Sequence, residues 1–89
     1  MKSPLFEQLE KSIRTVLRTT VTIAPETRLV GDLGAESIDL LDLSSELERH
    51  LGKEIDFRDV MTWIEQNRKR AAKDATVRDV LDYFATAAA

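Results

Sequence analysis

Cysteine is absent from this chain of 89 residues, so neither a disulfide framework nor a cysteine-ligated zinc site can stabilise it. Glycine (3), proline (2) and aromatic residues (6%) are scarce. A barrel or sandwich needs more turn residues and more β-branched and aromatic positions than that. No apolar run approaches the roughly 18 residues of a membrane span, and no secretory signal pattern opens the chain. A cytoplasmic protein without stable membrane insertion is expected. What is present, 43% hydrophobic and 33% charged residues, is the composition of a soluble globular protein. The length allows one domain over 1–89, burying only about 60–65% of its unfolded surface. The expected class is all-α.

The net charge of −3 conceals a segregation. Between Glu36 and Glu54 stand six acids, Glu36, Asp39, Asp42, Glu46, Glu48 and Glu54, against Arg49 and Lys53. Between Phe57 and Lys73 the balance reverses, with Arg58, Arg68, Lys69, Arg70 and Lys73 against Asp59 and Glu65. An acidic chain is a poor nucleic-acid binder, because that binding rests on neutralising phosphates. The acidic block suits a basic protein partner instead.

Four helical segments emerge from the apolar spacing. Ser3 caps the first and Pro4 opens it, where a missing N–H costs nothing. Phe6, Leu9, Ile13, Val16 and Leu17 form its stripe. The β-branched run from Thr19 to Ile23 ends it, with no strand partner elsewhere. Pro25, Gly31 and Gly34 then mark a long irregular connection, with Leu29, Val30 and Leu33 tacking it onto the helices. The second helix is expected from Ser37 to about Leu51, with Gly52 as its C-cap. Asp56 caps the third, which carries Phe57, Val60, Met61 and Ile64 on one face. Thr76 caps the last, with Asp79 in its first turn and Val77, Val80, Leu81, Phe84 and Ala88 on its buried face. The terminal alanines, 87–89, are expected to fray.

Independent catalysis finds little support. The sole histidine, His50, lies about 20 Å along the second helix from Ser37, too far for a nucleophile–base pair. Neither an HExxH pattern, an EF-hand loop nor a phosphate-cradling glycine loop occurs. No enzyme is expected, and His50 reads as a surface residue.

The informative segment runs from Gly31 to Leu43. On a helical wheel Leu40, Leu43, Leu47 and Leu51 form a core stripe, with Asp39, Asp42 and Glu46 on an acidic stripe beside it. Ile38 and Leu41 fall off the core face, close to Ser37. Two readings stand: a docking surface beside a serine, or a loop folded over these residues with Ser37 an ordinary N-cap.

The run LGAESIDLLDL, at the end of a long loop after a first helix, resembles the modification-site motif of acyl carrier proteins. Leu33-Gly34 matches that family's leucine-glycine pair, and Glu36-Ser37-Ile38 its aspartate-serine-leucine triplet. Asp39, Asp42, Leu43, Leu47, Glu48 and Leu51 match its acidic second helix. Gly52-Lys53-Glu54-Ile55 and Thr76-Val77-Arg78-Asp79-Val80 match its later layout. The resemblance covers nearly the whole chain and implies a small four-helix bundle of acyl-carrier type with a long loop between the first two helices.

It further implies that Ser37 carries a covalent 4′-phosphopantetheine arm, transferred from coenzyme A by a phosphopantetheinyl transferase. The arm's thiol then holds acyl groups for loading, modifying and acyl-transfer enzymes. Glu36, Ile38, Asp39, Leu41, Asp42, Glu46 and Glu48 become the expected partner-binding residues of a monomeric carrier, and no metal site is implied. The cargo is expected between the helices, near Leu43, Leu47, Val60, Ile64 and Leu81. A helix N-terminus is a favourable place for the arm's phosphate.

Three departures from the family pattern stand out. Glu36 replaces the usual aspartate, Arg49 interrupts the acidic helix, and the span from Ile55 to Thr76 is longer than in fatty-acid synthesis carriers. They suggest a carrier dedicated to a modified fatty-acid, lipid or secondary-metabolite pathway. A peptidyl or aminoacyl carrier, for which the second helix is rather acidic, and a cofactor-free interaction module are the alternatives. Trp63 is expected at the edge of the core, or else over cargo or against a partner. The basic stretch Arg68-Lys69-Arg70 through Lys73 reads as a solvated helix end, with pairing to the acidic second helix or a membrane-surface contact as alternatives.

Overall fold

Each helix begins and ends on a local signal. The computed structural model describes residues 3–86, in which four α-helices follow one another. Helix α1 covers Pro4–Leu17; the Ser3 hydroxyl accepts from the Phe6 N–H at 3.1 Å, and Arg18 ends the helix in the left-handed region. Helix α2 covers Ser37–Leu51 and stops at Gly52, whose φ of 70° is easy only for glycine. Helix α3 covers Phe57–Arg68, capped by the Asp56 carboxylate on the Arg58 N–H at 2.9 Å. Helix α4 covers Val77–Thr86. At its start the Thr76 hydroxyl accepts from the Asp79 N–H at 3.1 Å, and Asp79 accepts from the Thr76 N–H at 3.0 Å. That reciprocal pair satisfies two donors at once.

One face of every helix meets in a single core. Phe6, Leu9 and Ile13 of α1, Leu43 and Leu47 of α2, Phe57, Val60 and Ile64 of α3, and Val77, Val80 and Phe84 of α4 are buried together. Leu40 and Leu51, expected in the core stripe, sit half-buried at its margin, as does Leu81. Ala88, assigned above to the buried face of the last helix, and the expected fraying of 87–89 lie outside the described residues.

The connection between α1 and α2 is irregular yet firmly held. Leu29 and Ile23 are buried in the core, while Val30 and Leu33 pack against it. Nested turns close the loop: the Leu33 N–H reaches the Arg28 carbonyl, and the Ala35 N–H the Leu29 carbonyl, each at 3.1 Å. Arg28 also forms an antiparallel bridge with Thr76, so the loop is sewn to the start of α4. The end of the loop, at Glu36, is thereby fixed against the body of the bundle.

The basic stretch between α3 and α4 is an exposed helix end, as expected. Two of its arginines also pair, with α4 and not with α2. Arg70 Nη1 lies 2.6 Å from Asp79 Oδ2, and Arg68 reaches Asp82 at 3.0 Å and Asp79 at 3.8 Å. Both arginines therefore serve acids of α4, which the chain's return brings alongside. Lys69 ends α3 in the left-handed region, and a 3₁₀ turn at Ala72–Asp74 completes the span. Trp63 is half-buried at the core edge, edge-on to Tyr83 with centroids 5.8 Å apart, and the Arg68 guanidinium lies 5.2 Å from its ring centre.

Candidate functional site

Ser37 is exposed at the first position of α2, immediately after the fixed end of the loop. It is not the N-cap, as one of the two readings above had it. Glu36 occupies that position, and the Asp39 carboxylate folds back to accept the Glu36 N–H at 2.9 Å. The capping work of this helix start is therefore done by its neighbours. The Ser37 hydroxyl makes no hydrogen bond to another described residue, and it remains presented to a reactant. First-turn N–H groups, including those of Ser37 and Ile38, have no partner in the helix ladder.

Beside Ser37 opens a cleft of about 430 Å³ between α2 and α3, lined by Leu40, Leu41, Phe57, Arg58 and Met61 together with Ser37 itself. The walls are apolar apart from Ser37 and Arg58. The residues expected to line a cargo space fall elsewhere: Leu43, Leu47, Val60 and Ile64 are closed into the core, and Leu81 packs against it from α4. Tight packing at those four positions leaves no room, so the open space lies toward the surface. Phe57 and Met61 supply its far wall; their place on the apolar face of α3 was legible, their part in a cleft was not.

Ile38 and Leu41 are 63% and 56% exposed, among the few large apolar side chains left in solvent. The loop does not fold over them. Asp42 is exposed on the same helix. Three of the expected steering carboxylates are otherwise engaged. Glu46 is held by Arg49 and by His50 Nε2 at 3.1 Å, and Glu48 accepts from the Ile55 N–H at 3.1 Å. Glu36 remains exposed beside the serine, and Asp39 is spent on the cap.

Across the cleft, Arg58 is gripped by Asp56: Nη2 to Oδ2 is 2.8 Å, and Nε reaches both carboxylate oxygens at 3.2 Å. These bonds to the guanidinium, with the backbone N–H, hold the Asp56 carboxyl below the usual aspartate range. His50 is an exposed residue near the opposite end of α2, and no base lines the cleft. Among the described residues no cluster of three or more His, Cys, Asp or Glu could hold a metal, and no helix is long and apolar enough to cross a membrane.

Comparison with known proteins converges on the same serine-bearing region. A family model for the phosphopantetheine attachment site matches residues 7–65, ending within the last turn of α3. The acyl carrier protein of Helicobacter pylori is 35% identical over 74 residues, covering 72% of this chain and 95% of its own length. That of Nitratidesulfovibrio vulgaris is 35% identical over 78 residues, covering 86% and 88%. No solved structure matches the chain. With α1, α2 and most of α3 inside the family's domain and its relatives aligned along nearly their whole length, the chain belongs to the acyl carrier protein family, whose cofactor is a covalently attached 4′-phosphopantetheine.

Proposed function

We propose that Ser37 carries the phosphopantetheine arm and that the protein presents acyl thioesters on it to a set of partner enzymes. The observation that supports this most is the exposed, unengaged Ser37 hydroxyl at the start of α2, with an apolar cleft beside it. The residues present suit the group. Unpaired first-turn N–H groups favour a phosphodiester, and the cleft walls of Leu40, Leu41, Phe57 and Met61 suit an alkyl segment. When bound, the arm supplies the thiol that a chain without cysteine lacks.

In the loading step Ser37 Oγ forms a bond to the pantetheine-side phosphorus of coenzyme A. The adenosine bisphosphate half leaves, and the serine proton passes to a base of the transferase. No base is needed in this chain. Ile38 and Leu41 provide the apolar centre of a small, transient interface, with Glu36 and Asp42 drawing in basic partners.

The long, structured span between α3 and α4 supports a carrier dedicated to one pathway. Exchange into a general fatty-acid synthase tests this: poor activity is expected, and full activity would contradict it. The attachment itself is tested by intact mass after incubation with coenzyme A, magnesium and a promiscuous transferase. A gain of one phosphopantetheinyl unit is expected in the wild type and none in Ser37→Ala. No gain with several transferases, together with unmodified protein from the native host, would leave a helical interaction module.

A further inference from the structure

The cleft beside Ser37 has a single charged wall. Arg58 is the one cation among its lining residues, while Glu36 stands exposed next to the serine. A phosphodiester attached there sits beside that carboxylate, and repulsion from it must be offset or the arm is pushed outward.

Arg58 is built to offset it. A guanidinium offers five N–H donors in a fixed fork. Asp56 takes the Nε and Nη2 edge, which orients the group. The Nη1 end, with two N–H donors, has no partner among the described residues. The side chain is 83% exposed, so a second acceptor can reach that end without disturbing the core. Asp59, the next residue, attracts the guanidinium electrostatically without hydrogen-bonding to it.

We propose that Arg58 is a positioning residue for the arm: its free Nη1 end pairs with the phosphodiester on Ser37 and inclines the arm along the α2–α3 cleft. This rests on Ser37 being the attachment point. The pair is charge-assisted, and glutamine, which carries no charge, cannot replace the arginine in it. Lysine retains the charge but not the fork.

The test compares apo and holo protein at low salt, with loading verified by mass. Phosphorus NMR reports on the phosphodiester, and the Arg58 Nε–H resonance reports on the guanidinium. Loading should move the Arg58 resonance, and the phosphorus signal should shift and narrow when Arg58→Gln frees the arm. Arg58→Lys should keep part of the wild-type shift, and Asp56→Asn, by releasing the whole fork, should enlarge it. Raising salt should diminish the effect. Two further samples carry a short neutral acyl group and one ending in a carboxylate. A response seen only with the carboxylated cargo would overturn the phosphodiester assignment. Loaded protein with both signals unmoved would overturn the proposal while leaving Ser37 as the attachment point. Absence of loading would overturn both.

Discussion

The backbone carbonyl oxygen of Lys73 lies 2.6 Å from the place a β-carbon would occupy on Gly31. That approach joins the span between α3 and α4 to the loop that delivers Ser37. Hydrogen bonds run alongside it, from the Leu29 N–H to the Ala75 carbonyl at 3.3 Å and from the Val77 N–H to the Thr27 carbonyl at 2.9 Å. The span is thus a brace for the serine's approach.

Gly31→Ala should accordingly destabilise the protein. The methyl meets a backbone carbonyl, with the Arg28 guanidinium 3.0 Å away on its other side, so the span itself must shift. Overpacking of this kind costs about 1–3 kcal/mol. Urea unfolding measures it, and amide exchange at Leu29 should accelerate. Unchanged stability and exchange would show that the span yields without resistance.

Asp79 is the acid that ties the span to α4. Its side chain is 3% exposed and meets both Arg70 and Arg68, and it also accepts the Thr76 N–H. Asp79→Ala should cost about 1–2 kcal/mol for the cap. The half-exposed arginines add at most about 1 kcal/mol more. Asp82→Ala, at an exposed pair, should cost less than about 1 kcal/mol. Equilibrium denaturation of the two variants gives the order, and equal losses would mean that the buried position confers nothing.

Much of this architecture is legible locally. Ser3-Pro4, Gly52, Asp56 and the Thr76–Asp79 pair announce helix ends through contacts two to four residues long, and the apolar stripes name most of the core. The failures involve longer reach. Arg68 and Arg70 find their acids 9 to 14 residues away, across a return of the chain that no helical wheel shows. Ile23 reads as a β-branched helix terminator and proves to be core. At the site, Ser37 is a better capping residue than Glu36 by propensity, yet Asp39 reaches back and fixes the cap one residue earlier. The cleft escaped because Leu43 and Leu47 look like cargo-lining residues on the same stripe as Leu40, and packing alone decides which of them closes.

Stability and loading should separate at the start of α2. Because the cap lies at Glu36 and Asp39, Ser37→Ala should change stability by less than about 0.5 kcal/mol while abolishing loading. Asp39→Ala should instead lose about 1 kcal/mol and leave the hydroxyl in place to be loaded. Thermal unfolding and intact mass on both variants decide. A Ser37→Ala protein as unstable as Asp39→Ala would return the capping role to the serine.

Acid should loosen the loop before Ser37. The Arg28 guanidinium, and then its backbone N–H, lower the Asp32 carboxyl from its ordinary value; Nη2 lies 3.0 Å from Oδ1 and the N–H 2.8 Å from Oδ2. A depressed folded pKa means stabilisation that is complete above the unfolded value of about 3.9 and disappears as pH falls through the lower folded value. NMR titration should place the Asp32 midpoint below that of a free aspartate, with high salt moving it upward. Asp32→Asn should remove that titration and its share of the loop's acid sensitivity. A midpoint at the ordinary value would show that the ion pair is not maintained in solution.

The carboxylates on the acidic face of α2 should steer unequally. Asp42 is exposed, whereas Glu46 lies a turn farther from Ser37, paired with Arg49 and hydrogen-bonded to His50. Screening weakens charges farther from the docking site, so Asp42→Asn should slow association with a basic partner such as the transferase roughly 2–5-fold at low salt, and Glu46→Gln by less. Stopped-flow association rates at two ionic strengths measure this, and the difference should shrink as salt rises. Arg49→Ala supplies the control. Removing that arginine deletes a positive charge from the same face, so association should quicken with either Glu or Gln at position 46, because the fields of separate charges add. If Glu46→Gln is as damaging as Asp42→Asn, distance from Ser37 does not weight the charges, and the whole acidic stripe takes part in steering equally.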